Sequence, residues 1–315
     1  MHLLFPAATL LSVVSAQTIL YDGRAPLNLT QADLEASSGP FLTVVRGSEN
    51  ASHYDTLLGS TVPPTPLWED PSSLTSLASE QAIAVAIDNS SVFIPGGGAP
   101  QYGFRRTDII AQPSDGDHAA LDAEIEVGTT VFHFSVKSDE ERPLNYTHEY
   151  QVVFIEPDDG THVFELQLGS PFTTVVDAPP SEDAHSLKIL DHALNVLYST
   201  PFTADTWHNF AVQVDWDQRT LGVFYSANAT ALKAVTNVVP NQSASSGSAG
   251  QGDFHFGVIK LPLVNPTDSP ANQGDVVHYG IQEGTTEGLI YSGVFVETVT
   301  TSVSAGFNQT VSSLV

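Results

Sequence analysis

The chain has 315 residues, of which 36 are Asp or Glu and 10 are Lys or Arg, so its formal net charge is −26. Nucleic-acid binding depends on Lys and Arg neutralising phosphates, and with no basic patch in sight no nucleic-acid partner is expected. Hydrophobic residues make up 41% and charged residues 15%, enough apolar content for a buried core, while the absence of cysteine removes disulfides, thiolate metal sites and a Cys nucleophile together.

The chain opens on a short apolar run, Leu3 to Val14, followed by Ser15-Ala16 and Gln17. It reads as a signal peptide over residues 1–16, although its n-region carries only His2 and no Lys or Arg. The run falls short of the ~20 apolar residues of a membrane span, and no later segment reaches that length, so no membrane partner is expected. N-x-S/T sequons at Asn28, Asn50, Asn89, Asn145, Asn228, Asn241 and Asn308 fit a secreted, extracellular glycoprotein.

Helical periodicity is confined to Thr30 to Ser37 and Asp183 to Asn195. Gly96-Gly97-Gly98 lacks the Lys and helix of a phosphate loop and reads as a turn. In Phe104-Arg105-Arg106-Thr107-Asp108-Ile109-Ile110, strand geometry projects Arg106 and Asp108 to one side, where the guanidinium favours the ionised carboxylate and suits it to a general base. A structural ion pair fits the same pattern. Asp115-Gly116-Asp117-His118 and Asp215-Trp216-Asp217 offer oxygen ligands, but neither continues into a Ca²⁺ loop, and no metal or cofactor is expected.

From Thr130 onward, short runs alternate with period two: Thr130 to Lys137, Thr147 to Glu156, His162 to Leu168, His208 to Trp216, Thr220 to Ser226, Phe254 to Leu261 and Leu289 to Glu297. Many short strands between Gly and Pro turns predict an all-β fold, a jelly roll or sandwich of two antiparallel sheets. Residues 17–297 form this domain, Asn237 to Asp253 read as a long surface loop, and 298–315 as a loose Ser/Thr-rich tail.

The hairpin around Asp158-Asp159-Gly160 is the most informative segment. Flanking the loop with Glu156 and His162 sets Gln151 opposite Gln167 and Val153 opposite Glu165. Glu149, Gln151, Glu165 and Gln167 then share one face, with Tyr150, Val152, Phe154, Phe164, Leu166 and Leu168 on the core face. Carboxylates and amides lining a sheet suit a carbohydrate groove, since sugars offer many hydroxyls; a solvated sheet face looks the same. Extending the strip to the preceding strand places Ser135 opposite Glu149 and His133 opposite Gln151. His208 starts a strand whose inward set includes Phe210, Val212 and Val214, where a hydrogen-bonded core histidine is the ordinary occupant. No G-x-S-x-G elbow anchors serine catalysis.

Gly103-Phe104-Arg105-Arg106-Thr107-Asp108, His148-Glu149-Tyr150-Gln151, Phe164 to Gly169, Trp207 to Val212 and Gly288 to Gly293 resemble, in order, glycoside hydrolase family 131, and Ile19 to Arg24 resembles the family's mature N-terminus. Members are secreted fungal β-glucanases with a β-jelly-roll fold and a concave groove, acting on β-1,3, β-1,6 and β-1,4 glucans with inversion. The resemblance implies catalytic carboxylates at Glu149 and position 108, with His208 and Gln151 nearby. It implies β-glucan as the partner and a monomer. One departure stands out: the family usually carries Glu where this chain has Asp108.

On these expectations Asp108 activates water, Glu149 protonates the leaving oxygen, the roles being exchangeable, and His208 bonds a carboxylate or the sugar. Arg106, Gln151, Glu165, Gln167 and His133 line the groove, with Trp68 or Tyr102 stacking on sugars. The alternatives are a non-catalytic glucan-binding protein disabled by the shorter Asp108, a polysaccharide lyase, for which 10 basic residues make a poor uronate cradle, and a structural wall protein.

Overall fold

The computed structural model describes residues 17–72, 79–113, 116–172 and 174–315. The expected signal peptide and Asp115 lie outside them. The first half runs β1 (Ile19–Asp22), α1 (Gln31–Glu35), β2 (Phe41–Val45), α2 (Ala51–Tyr54), β3 (Asp55–Leu57), β4 (Ile83–Ile87), β5 (Arg105–Ala111), α3 (His118–Ile125), β6 (Thr129–Ser138) and β7 (Glu149–Pro157). It continues with β8 (Phe164–Gly169), β9 (Ser186–Asp191), β10 (Val196–Pro201), β11 (His208–Asp215), β12 (Thr220–Ala227), β13 (Lys233–Ala234) and β14 (Val239–Pro240). The last elements are β15 (Gly252–Lys260), α4 (Pro270–Gln273), α5 (Val276–Tyr279), β16 (Glu287–Thr298), β17 (Ser302–Gly306) and β18 (Gln309–Ser312).

Two antiparallel sheets face one another, as the alternation predicts. One has the order β13-β12-β11-β6-β16-β4-β3, with β1 also on β16 and β14 also on β12. The other runs β10-β9-β8-β7-β15-β5-β2. Alternate residues of both fill the space between: Phe132, Phe134, Phe210 and Val212 from one side meet Phe164, Leu166, Phe254 and Phe256 from the other. Phe132 lies edge-on to both Phe164 and Phe254, at centroid distances of 5.9 and 5.0 Å, so the two sheets interlock through aromatic contacts. Among the described residues no helix is long and apolar enough to cross a membrane.

Three expectations change, and a fourth, the hairpin register, holds only in part. Residues 183–195 do not form a helix but the strand β9 and its turn, because Leu187 and Ile189 alternate into the core. β6 does not pair with β7; it lies in the other sheet, with Ser135 opposite Asn209 and Ser292, and His133 opposite Ala211 and Phe295. The Ser/Thr-rich end is no loose tail: β17 and β18 pair, and Val303 and Ala305 bury against Leu67 and Phe224. The main-chain amide and carbonyl of Leu314 both bond the Gln213 side chain. Sequence reading also passes over α3, whose N-cap Asp117 accepts from Ala120 N–H.

The hairpin register holds only at its open end. Gln151 lies opposite Gln167 and Glu149 opposite Gly169, but a bulge between Gln151 and Val153 moves Val153 opposite Leu166 and Phe154 opposite Glu165. Val152 and Val153 both face the core, and the parity of everything beyond flips. Phe154 therefore leaves the core face and joins Ile259, Leu261 and Phe104 on the outer one.

Candidate active site

The outer face of the seven-stranded sheet carries the polar strip. In adjacent strands Arg106, Ile259, Gln151, Gln167 and Lys188 stand directly opposite one another, a row from β5 to β9. The next row holds Ile110, His255, Phe154, Glu165 and Leu190. Above these rows lies a cavity of about 460 Å³ lined by Phe93, Phe104, Arg106, Gln151, Glu156, His162, Glu165, His192 and Ile259 among others.

Arg106 organises its centre. Nε lies 2.5 Å from Asp108 Oδ2 and Nη2 lies 2.5 Å from Glu156 Oε2, so one guanidinium holds two carboxylates. Its plane also rests near the Phe93 and Phe154 rings, 5.0 and 5.7 Å from their centroids. Burial works against the Arg106 charge, but Asp108 and Glu156 more than offset it and hold its pKa above the ordinary value. Asp108 is fully enclosed, and although burial opposes its charge, Arg106 prevails and keeps its pKa below the usual value.

His255 Nδ1 approaches Asp108 Oδ2 at 3.4 Å, and its ring stacks on Phe154 at 4.8 Å. Gly257 sits opposite Asp108, and a Cβ there would stand 2.3 Å from the Thr107 carbonyl and 2.9 Å from Asp108 Oδ1, so only glycine lets β15 pass the carboxylate.

Glu149 lies one pleat repeat beyond Gln151. Its Oε2 accepts from Phe172 N–H at 3.0 Å and its Oε1 from the Gln151 amide at 3.2 Å. Burial pushes its pKa up, the Phe172 N–H pulls it back, and neighbouring Glu165 adds to the rise, leaving it raised overall. Glu165 is held by His162 at 2.6 Å and by the Gln167 amide at 3.1 Å.

Of the residues singled out from sequence, Arg106, Asp108, Glu149, Gln151, Glu165 and Gln167 share this face. His133 and His208 do not; both belong to the other sheet. His133 is buried under the C-terminal hairpin, stacked on Phe295 at 4.2 Å with Nε2 3.1 Å from Glu297. His208 does share the inward face with Phe210, but that face is the sandwich interior. Its Nε2 accepts from Thr203 N–H, which leaves Nδ1–H to donate to the Tyr225 hydroxyl at 2.9 Å. Trp68 packs edge-on against His133 and Phe295, also on that sheet.

Sequence reasoning missed Glu156, His255, His162 and Phe154. Asp253, His255 and Gly257 do alternate with core Phe254, Phe256 and Val258, so His255 was legible. Glu156 and Phe154 were not, because nothing in the sequence marks the bulge that turns them outward.

A β-sandwich whose outer face floors a groove with arginine-held carboxylates, amides and ring faces has the make-up of a carbohydrate-active hydrolase. Residues 19–302 match the family described as the Glycoside hydrolase 131 catalytic N-terminal domain. The chain belongs to that family and is a glycoside hydrolase.

Its fold matches the catalytic domain of the glycoside hydrolase family 131 protein from Coprinopsis cinerea, with a TM-score of 0.64 and 25% identity over 92% of this chain and 97% of that one. It also matches a GH131 β-glucanase catalytic domain from Podospora anserina, with a TM-score of 0.63 and 24% identity over 92% of this chain and 98% of that one. No curated protein matches the chain.

Proposed function

We propose that the chain is a secreted β-glucanase that cleaves β-1,3, β-1,6 or β-1,4 linkages with inversion, Asp108 activating water and Glu149 protonating the leaving oxygen. The observation that carries this is a pair of carboxyls on one sheet face driven to opposite protonation states: Arg106 keeps Asp108 ionised while burial pushes Glu149 toward its protonated form. β5 and β7 are separated by β15, with Asp108 level with Gly257 and the Glu149 carbonyl bonded by Leu261 N–H. Strand spacing and rise then put the two backbones roughly 16 Å apart. An inverting pair, with its ~6.5–9.5 Å gap for water, then needs both side chains to lean toward one another along the groove. The β-glucan substrate is supported by family membership and by the description of the Podospora anserina relative.

Secretion is supported by the apolar leader and by exposed sequon asparagines at 28, 50, 89, 228 and 308. Asn241 is excluded as a glycan carrier, since its buried Nδ2 donates to the Val163 carbonyl at 2.8 Å.

A second reading rests on Asp108 being fully enclosed while Glu156 and Glu165 line the cavity. In it, Asp108 and Arg106 position Glu156, and Glu156 and Glu165 do the proton work.

Reducing-end release from β-1,3, β-1,4 and β-1,6 glucans separates the two. Loss of activity in Glu149→Gln with Glu156→Gln largely active supports the first, and the reverse pattern supports the second. Glucan binding by the wild type with no release of reducing ends overturns both in favour of a binding protein.

A further inference from the structure

A second cluster of titratable side chains sits where α3 meets the start of β15. At steps of four, His118, Asp122 and Glu126 follow one face of the helix and its C-cap. Asp253 enters from the second residue of β15. His118 Nδ1 lies 3.0 Å from Asp253 Oδ1 and 4.0 Å from Asp122 Oδ2, and donor atoms of these three residues all fall within 4.8 Å of one another.

Glu126 is the C-cap of the same helix. It is 1% exposed, its Oε2 accepts from the backbone N–H of Gly252 at 2.9 Å, and its Oε1 has no hydrogen-bond partner. Gly252 immediately precedes Asp253, so this bond ties the Glu126 carboxyl to the start of β15. Asp122 Oδ1 is buried without a partner as well. Among the described residues no Lys or Arg forms an ion pair with any of these carboxyls. A buried acceptor with nothing to accept from, beside two more carboxyls and an imidazole, is an arrangement that a cation completes.

We propose that His118, Asp122 and Asp253, backed by Glu126, bind one divalent transition cation, with Zn²⁺ the best match. The donor set decides against Ca²⁺ and Mg²⁺, which take oxygen ligands, whereas one imidazole with carboxylates suits zinc. Metal–ligand bonds of ~2.0–2.2 Å in a tetrahedron separate the donors by about 3.4 Å, and the observed 3.0 and 4.0 Å bracket that value. His118 and Asp253 have side chains 41% and 30% exposed, which gives the ion a route in. Bound there, it clamps α3 to the strand that carries His255, whose Nε2 lies 4.0 Å from Asp253 Oδ2. The sequence pattern alone predicted no metal because these ligands combine a helix with a strand more than a hundred residues away.

The test is equilibrium dialysis of the untagged, chelator-treated chain against Zn²⁺, Mn²⁺ and Ca²⁺ near pH 7, followed by metal analysis and thermal unfolding. One Zn²⁺ per chain and a raised unfolding midpoint are expected. His118→Ala, a change at a partly exposed side chain, and Asp253→Asn should each weaken Zn²⁺ binding by more than about a hundredfold, beyond the effect of outer-sphere changes. No stoichiometric zinc overturns the proposal, as does zinc retained undiminished in both variants. Ca²⁺ bound equally by the wild type and His118→Ala overturns the zinc assignment and points to an all-oxygen site.

Discussion

The Tyr291 hydroxyl crosses the sandwich interior from one sheet and donates to the Gly257 carbonyl of the other, 2.5 Å away. The Val152 carbonyl lies 3.2 Å from the same hydroxyl, so one proton serves two acceptors at the irregularity between β7 and β15. Burial holds the Tyr291 pKa well above its ordinary value, which keeps the group a donor at any working pH. Tyr291→Phe strips both buried carbonyls of that donor and should lower stability by about 1–3 kcal/mol, read from urea unfolding. Because Gly257 stands opposite Asp108, kcat should fall more than KM rises. Unchanged stability would mean that the bulge holds itself.

Arg106 bridges two carboxylates through separate N–H groups, a task that a lysine ammonium on a single stem performs poorly. Arg106→Lys should lower kcat by at least tenfold and raise the acid limb of the pH–rate profile as Asp108 loses part of the interaction that keeps it ionised. An acid limb in its wild-type place would remove Asp108 from the titration.

His208 offers a control. It lies in the interior of the opposite sheet, and burial lowers its pKa, so it is a neutral structural group. His208→Gln should cost about 1–2 kcal/mol of stability through lost hydrogen bonds and leave kcat/KM near the wild-type value. His255→Gln should lower kcat markedly. Equal losses of activity in both variants would return His208 to the site.

Glu80 makes stability depend on pH. Burial outweighs the Gly293 N–H that it accepts and raises its pKa from 4.5 to about 7. A carboxyl raised on folding contributes stability that is full below the unfolded value and lost as pH rises through the folded one. Between roughly pH 4.5 and 7 the chain should therefore lose on the order of 3 kcal/mol from this group, and Glu80→Gln should flatten that slope. An unchanged slope in the variant would assign the pH dependence to other carboxyls.

Most of the strands were legible because alternation follows directly from which face is buried: Phe210, Val212 and Val214 point inward as their spacing requires. The pairing of Arg106 with Asp108 was legible for the same reason. What the pattern did not carry was long-range neighbourhood. His133 and Gln151 lie on strands close in sequence, yet β6 and β7 belong to different sheets, since the connection between them crosses the sandwich instead of turning back on itself. The bulge at Val152 was equally silent, because Val-Val-Phe-Ile reads as strand in either parity, and with it went Glu156. Leu187 and Ile189 fit a helix or a strand in so short a window; the pairing partners on β8 and β10 decided.

The most direct test follows the anomeric configuration of the product by proton NMR during hydrolysis of soluble β-glucans, for the wild type and Glu149→Gln. The account predicts that α-anomer signal appears first in the wild type and is absent in the variant, with wild-type activity falling as pH rises through the raised pKa of Glu149. Early β-anomer signal, or α-anomer released by Glu149→Gln at the wild-type rate, would contradict it.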